Sequence, residues 1–155
     1  MNEFIIMMGW VGVFSPMALG CAGSGYGVSL TGQAACGAML DVESGYGKYI
    51  GLSALPSTQG ILGIVIMFVF MKHMGKTGMT VDIAPAFFGI GLFAGIGLML
   101  TSLCQGRAVA AAINAAKNKP EIYGLSIAPA AIVEGFSVFV FVFALVLAEL
   151  IPKLG

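Results

Sequence analysis

Four apolar stretches constrain this chain more than any other feature. They lie at about 5–36, 50–72, 83–115 and 123–150. Each can cross a hydrocarbon core of roughly 30 Å, which takes about 20 helical residues. Inside a bilayer no water satisfies the backbone, so a spanning segment must be a helix or part of a closed barrel. No alternating barrel pattern is present, and the expected fold is an all-α membrane protein with four transmembrane helices. Composition agrees: 59% of the 155 residues are hydrophobic and 9% charged, with mean hydropathy +1.00. Soluble domains carry about 25% charged residues.

The connectors are short and polar: Gly37–Tyr49, His73–Asp82 and Ala116–Ile122. Neighbouring spans are therefore expected to form antiparallel hairpins. Met1-Asn2-Glu3-Phe4 lacks a basic region, which predicts a retained first span rather than a cleaved signal peptide. Lys48, Arg107, Lys117 and Lys119 lie at the end of connectors 1–2 and 3–4, against Lys72, Lys76 and Lys153 at the other end. That bias places the first set in the cytoplasm and both termini outside. A net charge of zero gives no reason to expect nucleic acid as a partner. Cys21, Cys36 and Cys104 sit singly among small residues and read as small apolar packers, not as a disulfide or metal framework.

The two halves repeat. Gly51-Leu52-Ser53…Gln59-Gly60 in span two matches Ser126-Ile127-Ala128…Glu134-Gly135 in span four, 75 residues on. Thr31-Gly32-Gln33-Ala34-Ala35 in span one resembles Gln105-Gly106-Arg107-Ala108-Val109 in span three, 74 residues on. The chain thus reads as a tandem duplicated hairpin, with units 1–75 and 76–155. Where the second unit has Glu134, the first has Gln59. The odd spans are rich in glycine and the even spans in Phe, Val, Ile and Leu. Small residues let helix backbones approach closely in lipid. The odd spans are expected to form a crowded inner layer and the even spans a bulkier outer one, an asymmetry suited to many copies around a ring.

Glu134 is the single charge between Glu121 and Glu149. Burying such a charge at a helix centre costs roughly 2.5–3.5 kcal/mol, so an ionisable residue there points to function. Leu55, Thr58, Gln59 and Leu62 share one face of span two. Pro56 cannot donate to residue 52, which frees carbonyls near Leu52–Leu55, and Pro129 does the same before Glu134. Counted at 1.5 Å per residue, Gln59, Gln105 and Glu134 all lie about 15 Å from the same membrane face. A carboxylate, two amide oxygens, a Thr hydroxyl and a backbone carbonyl make a set of oxygen donors fit for a hard monovalent cation. A proton would need only the carboxylate and an apolar seal.

At these residues the sequence resembles the proteolipid (c-type or K) subunit of V-type and archaeal-type rotary ATPases. The likeness covers almost the whole chain. It rests on the duplicated hairpin, Leu55-Pro56-Ser57-Thr58-Gln59-Gly60, Gln105-Gly106-Arg107-Ala108-Val109-Ala110-Ala111 and Val133-Glu134. The resemblance implies a non-catalytic rotor subunit that assembles with identical copies into a ring in a prokaryotic cell membrane, among membrane lipids. It further implies a stator membrane subunit with an essential arginine, a central stalk subunit, and one ion per copy on Glu134. Sodium-binding members use a Leu carbonyl, Thr, two Gln and the glutamate, which correspond to Leu55, Thr58, Gln59, Gln105 and Glu134. Na⁺ is the expected ion, H⁺ the alternative, and no organic cofactor is expected. Sodium-type members often carry Tyr one turn after the motif Gln; here that position is Leu62, and Gly135 rather than a hydroxyl residue follows the glutamate. Halving the number of carboxylates per helix would leave more free energy per ion when ATP drives rotation.

Other features read as structural. Gly75-Lys76-Thr77 resembles the end of a phosphate loop, but position 70 is Phe70 and no strand precedes it. Gly89-Ile90-Gly91 matches a loose dinucleotide fingerprint inside an apolar helix, where close packing explains it. His73 is expected to be a solvated connector residue, and Glu149 and Lys153 to pair at i, i+4. Arg107 would either contact the stalk or snorkel. An independent four-span channel or carrier using the same carboxylate is the remaining alternative class.

Overall fold

The computed structural model describes residues 1–75 and 78–151. Helix α1 (Asn2–Leu40) forms span one, and α4 (Ala84–Asn118) forms span three. The even spans are each broken. Span two comprises α2 (Tyr46–Ser53), a 3-10 turn at Leu55–Ser57 and α3 (Thr58–Met74). Span four begins with a 3-10 turn at Pro120–Ile122, continues as α5 (Tyr123–Ser126), and after Ile127 resumes as α6 (Ala128–Glu149). The helices run past the expected boundaries because connector residues such as Gly37–Leu40 and Ala116–Asn118 extend them. The turn between spans three and four thus shrinks to Lys119, where φ is −141°.

Both breaks follow from proline. Pro56 and Pro129 lack the N–H that would bond Leu52 and Leu125, four residues back. A helix losing that bond either kinks or tightens locally, and here the chain passes through a short 3-10 segment in span two.

Helices α1 and α4 form the inner pair; α3 packs on α1, α6 packs on α4, and α3 touches α6. The two odd spans therefore pack closely on each other, with the even spans laid against them. The inner pair is close because its glycines face backbone: a methyl group on Gly91 would run into the Gly12 carbonyl, and one on Gly12 into Phe87 and Phe88. Pro16 gives no N–H to the Gly12 carbonyl, so the helix leaves that oxygen uncovered where Gly91 approaches. On the outer side, Gly63 lies against the carbonyl of Pro16. The outer faces of span four (Ile132, Phe136, Phe139, Phe143) and span two (Ile61, Val65, Phe68) are exposed in the single chain. Such a contiguous apolar surface belongs in lipid or against further copies.

Two apolar clusters fill the interior. One gathers Val13, Ile66, Phe70, Phe87 and Leu98; the other gathers Ala35, Tyr49, Leu52, Val109 and Ile113. At the end of the second cluster Lys117 Nζ bonds Asp41 Oδ2 at 2.7 Å, joining connectors 1–2 and 3–4. Lys48 Nζ lies over the rings of Tyr49 and Tyr123 at the same end.

Two expectations about single residues change. His73 is not a solvated connector residue: it lies in the last turn of α3, is half-buried, sits 2.9 Å from the Ile151 carbonyl through Nε2 and packs edge-on against Phe87. Its position on the helix turns the ring inward, towards the apolar cluster. The three cysteines are free and exposed in the single chain rather than packed inside it. Lys153, Lys76 and Thr77 lie outside the described residues, and with them the Glu149–Lys153 pair.

Candidate functional site

The polar layer lies between the two apolar clusters. Gln59 is fully buried and Gln105 nearly so, while Glu134 is half-buried. Gln59 Nε2 donates to Gln105 Oε1 at 2.9 Å and to Ser137 Oγ at 2.9 Å, with Glu134 Oε2 at 3.5 Å. Gln105 Nε2 donates to Glu134 Oε2 and to the Ala130 carbonyl, the latter at 3.4 Å. Three spans thus bring their polar side chains together in one hydrogen-bonded cluster.

Beside this network is a cavity of about 330 Å³ lined by Leu55, Thr58, Gln105, Ile127, Ala131 and Glu134. Four of the five residues selected from the sequence line it; Gln59 sits behind the wall. Thr58 Oγ1 donates to the Leu55 carbonyl at 3.0 Å, so those two oxygens are neighbours. Gln59 Oε1 is buried, and no donor to it is present among the described residues. A buried acceptor without a partner costs about 1–3 kcal/mol. A cation contacting that oxygen would remove the cost.

Pro56 shapes this wall less simply than the sequence implies. Of the carbonyls around the break, Ser53's accepts Thr31 Oγ1 at 2.7 Å and Pro56's accepts Ser102 Oγ at 2.9 Å. Ala54's accepts both the Ser57 N–H and its hydroxyl. The loosened backbone is therefore held by hydroxyls from both inner helices, while the Leu55 carbonyl accepts the N–H and the hydroxyl of Thr58. Ser24 Oγ accepts the Gly60 N–H at 2.9 Å one turn further along. Pro129 stands at the start of α6 and is exposed, and Gly135 has open space where a side chain would go.

Thr31, Ser102, Ser24 and Ser137 escape a reading of the sequence alone. Three of them are small residues in glycine-rich surroundings and look like packing positions. Ser137 carries a detectable signal: it is the one polar side chain between Glu134 and Glu149, three residues after the glutamate. Arg107 is exposed on α4.

The family model for the C subunit of ATP synthase matches the chain twice, over residues 11–70 and 88–147. The chain belongs to that family. It is 31% identical over 153 residues to V-type sodium ATPase subunit K of Enterococcus hirae, covering 95% of this chain and 97% of that protein. It is also 33% identical over 124 residues to A-type ATP synthase subunit K of Methanocaldococcus jannaschii, covering 77% of this chain and 51% of that one. With four long apolar helical spans among its described residues, this family member is an integral membrane protein, a rotor proteolipid of the V/A-type ATPases. Such proteolipids are ion-translocating components of a larger machine.

Proposed function

We propose that this rotor proteolipid carries one Na⁺ per copy at Glu134, coupled to ATP hydrolysis or synthesis by its partner complex. The cation would contact the Leu55 carbonyl, Thr58 Oγ1, Gln59 Oε1, Gln105 Oε1 and the Glu134 carboxylate. Five oxygens with a single negative charge make a neutral site with a monovalent cation, which lowers the cost of carrying it past lipid. The observation that carries the reading is the buried Gln59 oxygen without a donor, next to a carboxylate already held by amide N–H groups. The printed name of the Enterococcus hirae relative, a sodium ATPase subunit, supports the same ion.

In this reading the hairpin units 1–75 and 76–155 contribute unequally: the first gives neutral ligands and the second the charge. Identical copies form a ring around which a stator arginine displaces each ion in turn, and a central stalk docks on the end bearing Asp41, Lys48 and Lys117. The termini lie outside a prokaryotic cell membrane. A proton cargo is the second reading, favoured by Leu62 and Gly135, which leave those two positions without a hydroxyl beside the carboxylate. Vesicles carrying the whole complex separate the two. ATP-driven uptake of ²²Na⁺ that persists with a protonophore supports sodium; acidification without ²²Na⁺ uptake supports protons and overturns the sodium reading.

A further inference from the structure

Ser137 is fully buried on α6 and faces Gln59. Nothing in the proposed ligand set requires it, and yet its hydroxyl takes one of the two amide protons of a proposed ligand. The other amide proton goes to Gln105 Oε1. With both N–H bonds committed, the amide cannot turn over without giving up two buried hydrogen bonds. Turning over would also bring its oxygen towards Glu134 Oε2, which now lies 3.5 Å from Nε2, and an oxygen facing a carboxylate is repelled.

We infer that Ser137 is a positioning residue for ion binding: its hydroxyl fixes the Gln59 amide with nitrogen towards Glu134 and leaves the oxygen for the cation. This rests on the sodium reading above. The hydroxyl stands one helical turn beyond Glu134, so it acts from the side of the carboxylate opposite Ala130 and without contacting the ion. It supplies order in a site where Leu62 and Gly135 offer none. A serine suits the task because a hydroxyl accepts a bond from the amide while taking little room between α3 and α6.

The test uses purified wild-type rings and the variants Ser137→Ala, Ser137→Thr and Ser137→Val. Thr and Val have nearly the same shape and differ in the hydroxyl, so a packing role affects both alike. Equilibrium ²²Na⁺ binding is expected to weaken roughly fivefold to tenfold in Val relative to Thr, the loss of about one buried hydrogen bond. Ala is expected to weaken similarly relative to wild type. Equal sodium affinity in Thr and Val, or wild-type affinity in Ala, overturns the inference while the sodium reading stands. A wild-type ring that binds no sodium overturns the sodium reading and this inference with it.

Discussion

Gln59 and Glu134 occupy equivalent places in the two repeats, but in the folded chain they meet. Gln59 Nε2 lies 3.5 Å from Glu134 Oε2, inside one protomer. The duplicated hairpins therefore contribute to one polar cluster, and the proposed site would be shared between them. Replacing Gln59 with an acid, Gln59→Glu, would put two carboxylates at about that separation. At an effective dielectric constant near 20 their repulsion is on the order of 5 kcal/mol. A pair in that position keeps one proton between its members at neutral pH, as like charges sharing a site do. The substitution also removes the amide protons now given to Gln105 and Ser137. The purified Q59E ring is thus expected to bind no more than one Na⁺ per chain at saturation, and more weakly than wild type. The assay is a count of ²²Na⁺ bound per chain, with chain number from amino-acid analysis. Two ions per chain would mean that the repeats hold independent sites, and would refute the shared pocket.

Three other substitutions probe the scaffold. Gly91→Val forces side-chain atoms into the Gly12 carbonyl; the cost should equal or exceed the roughly 1–3 kcal/mol of ordinary overpacking, read as loss of assembled ring after detergent extraction. Thr31→Val keeps the shape of the side chain but removes the donor to the Ser53 carbonyl. It should lower stability by about 1–3 kcal/mol, seen as a lower melting temperature, and raise the Na⁺ concentration needed for half-occupancy. A T31V ring indistinguishable from wild type would show that the span-two break holds itself. Lys117→Ala breaks the bond to Asp41 at the membrane edge, where Asp41 is 59% exposed, and should change stability by no more than about 1 kcal/mol.

Much of this architecture is legible in the sequence, for physical reasons. Span number follows from hydropathy and length, and pairing follows from short connectors. Gln59, Gln105 and Glu134 stand out because a large polar side chain in an apolar run has few neutral explanations. Counting along three helices is enough to put them at one depth, where hydrogen bonds link them. Relations between helices are what the sequence hides. Thr31 and Ser102 look like helix-packing residues until the break at Pro56 presents them with unpaired carbonyls. His73 reads as polar and terminal, yet the last turn of α3 aims it at Ile151. Helix ends fall beyond their expected positions because polar connector residues read as loop, although their backbones can continue a helix once the preceding turns exist.

Glu134 is proposed to hold an exchangeable Na⁺ with help from Thr58, Gln59 and Gln105. Labelling of wild-type rings by dicyclohexylcarbodiimide, which reacts with a protonated carboxyl, tests this most directly when followed against pH with and without sodium. The expected result is a single adduct at Glu134 by mass spectrometry, and protection by Na⁺ that strengthens as pH rises and protons compete less. Labelling that depends on pH but is indifferent to Na⁺ would contradict the proposal and make the cargo a proton.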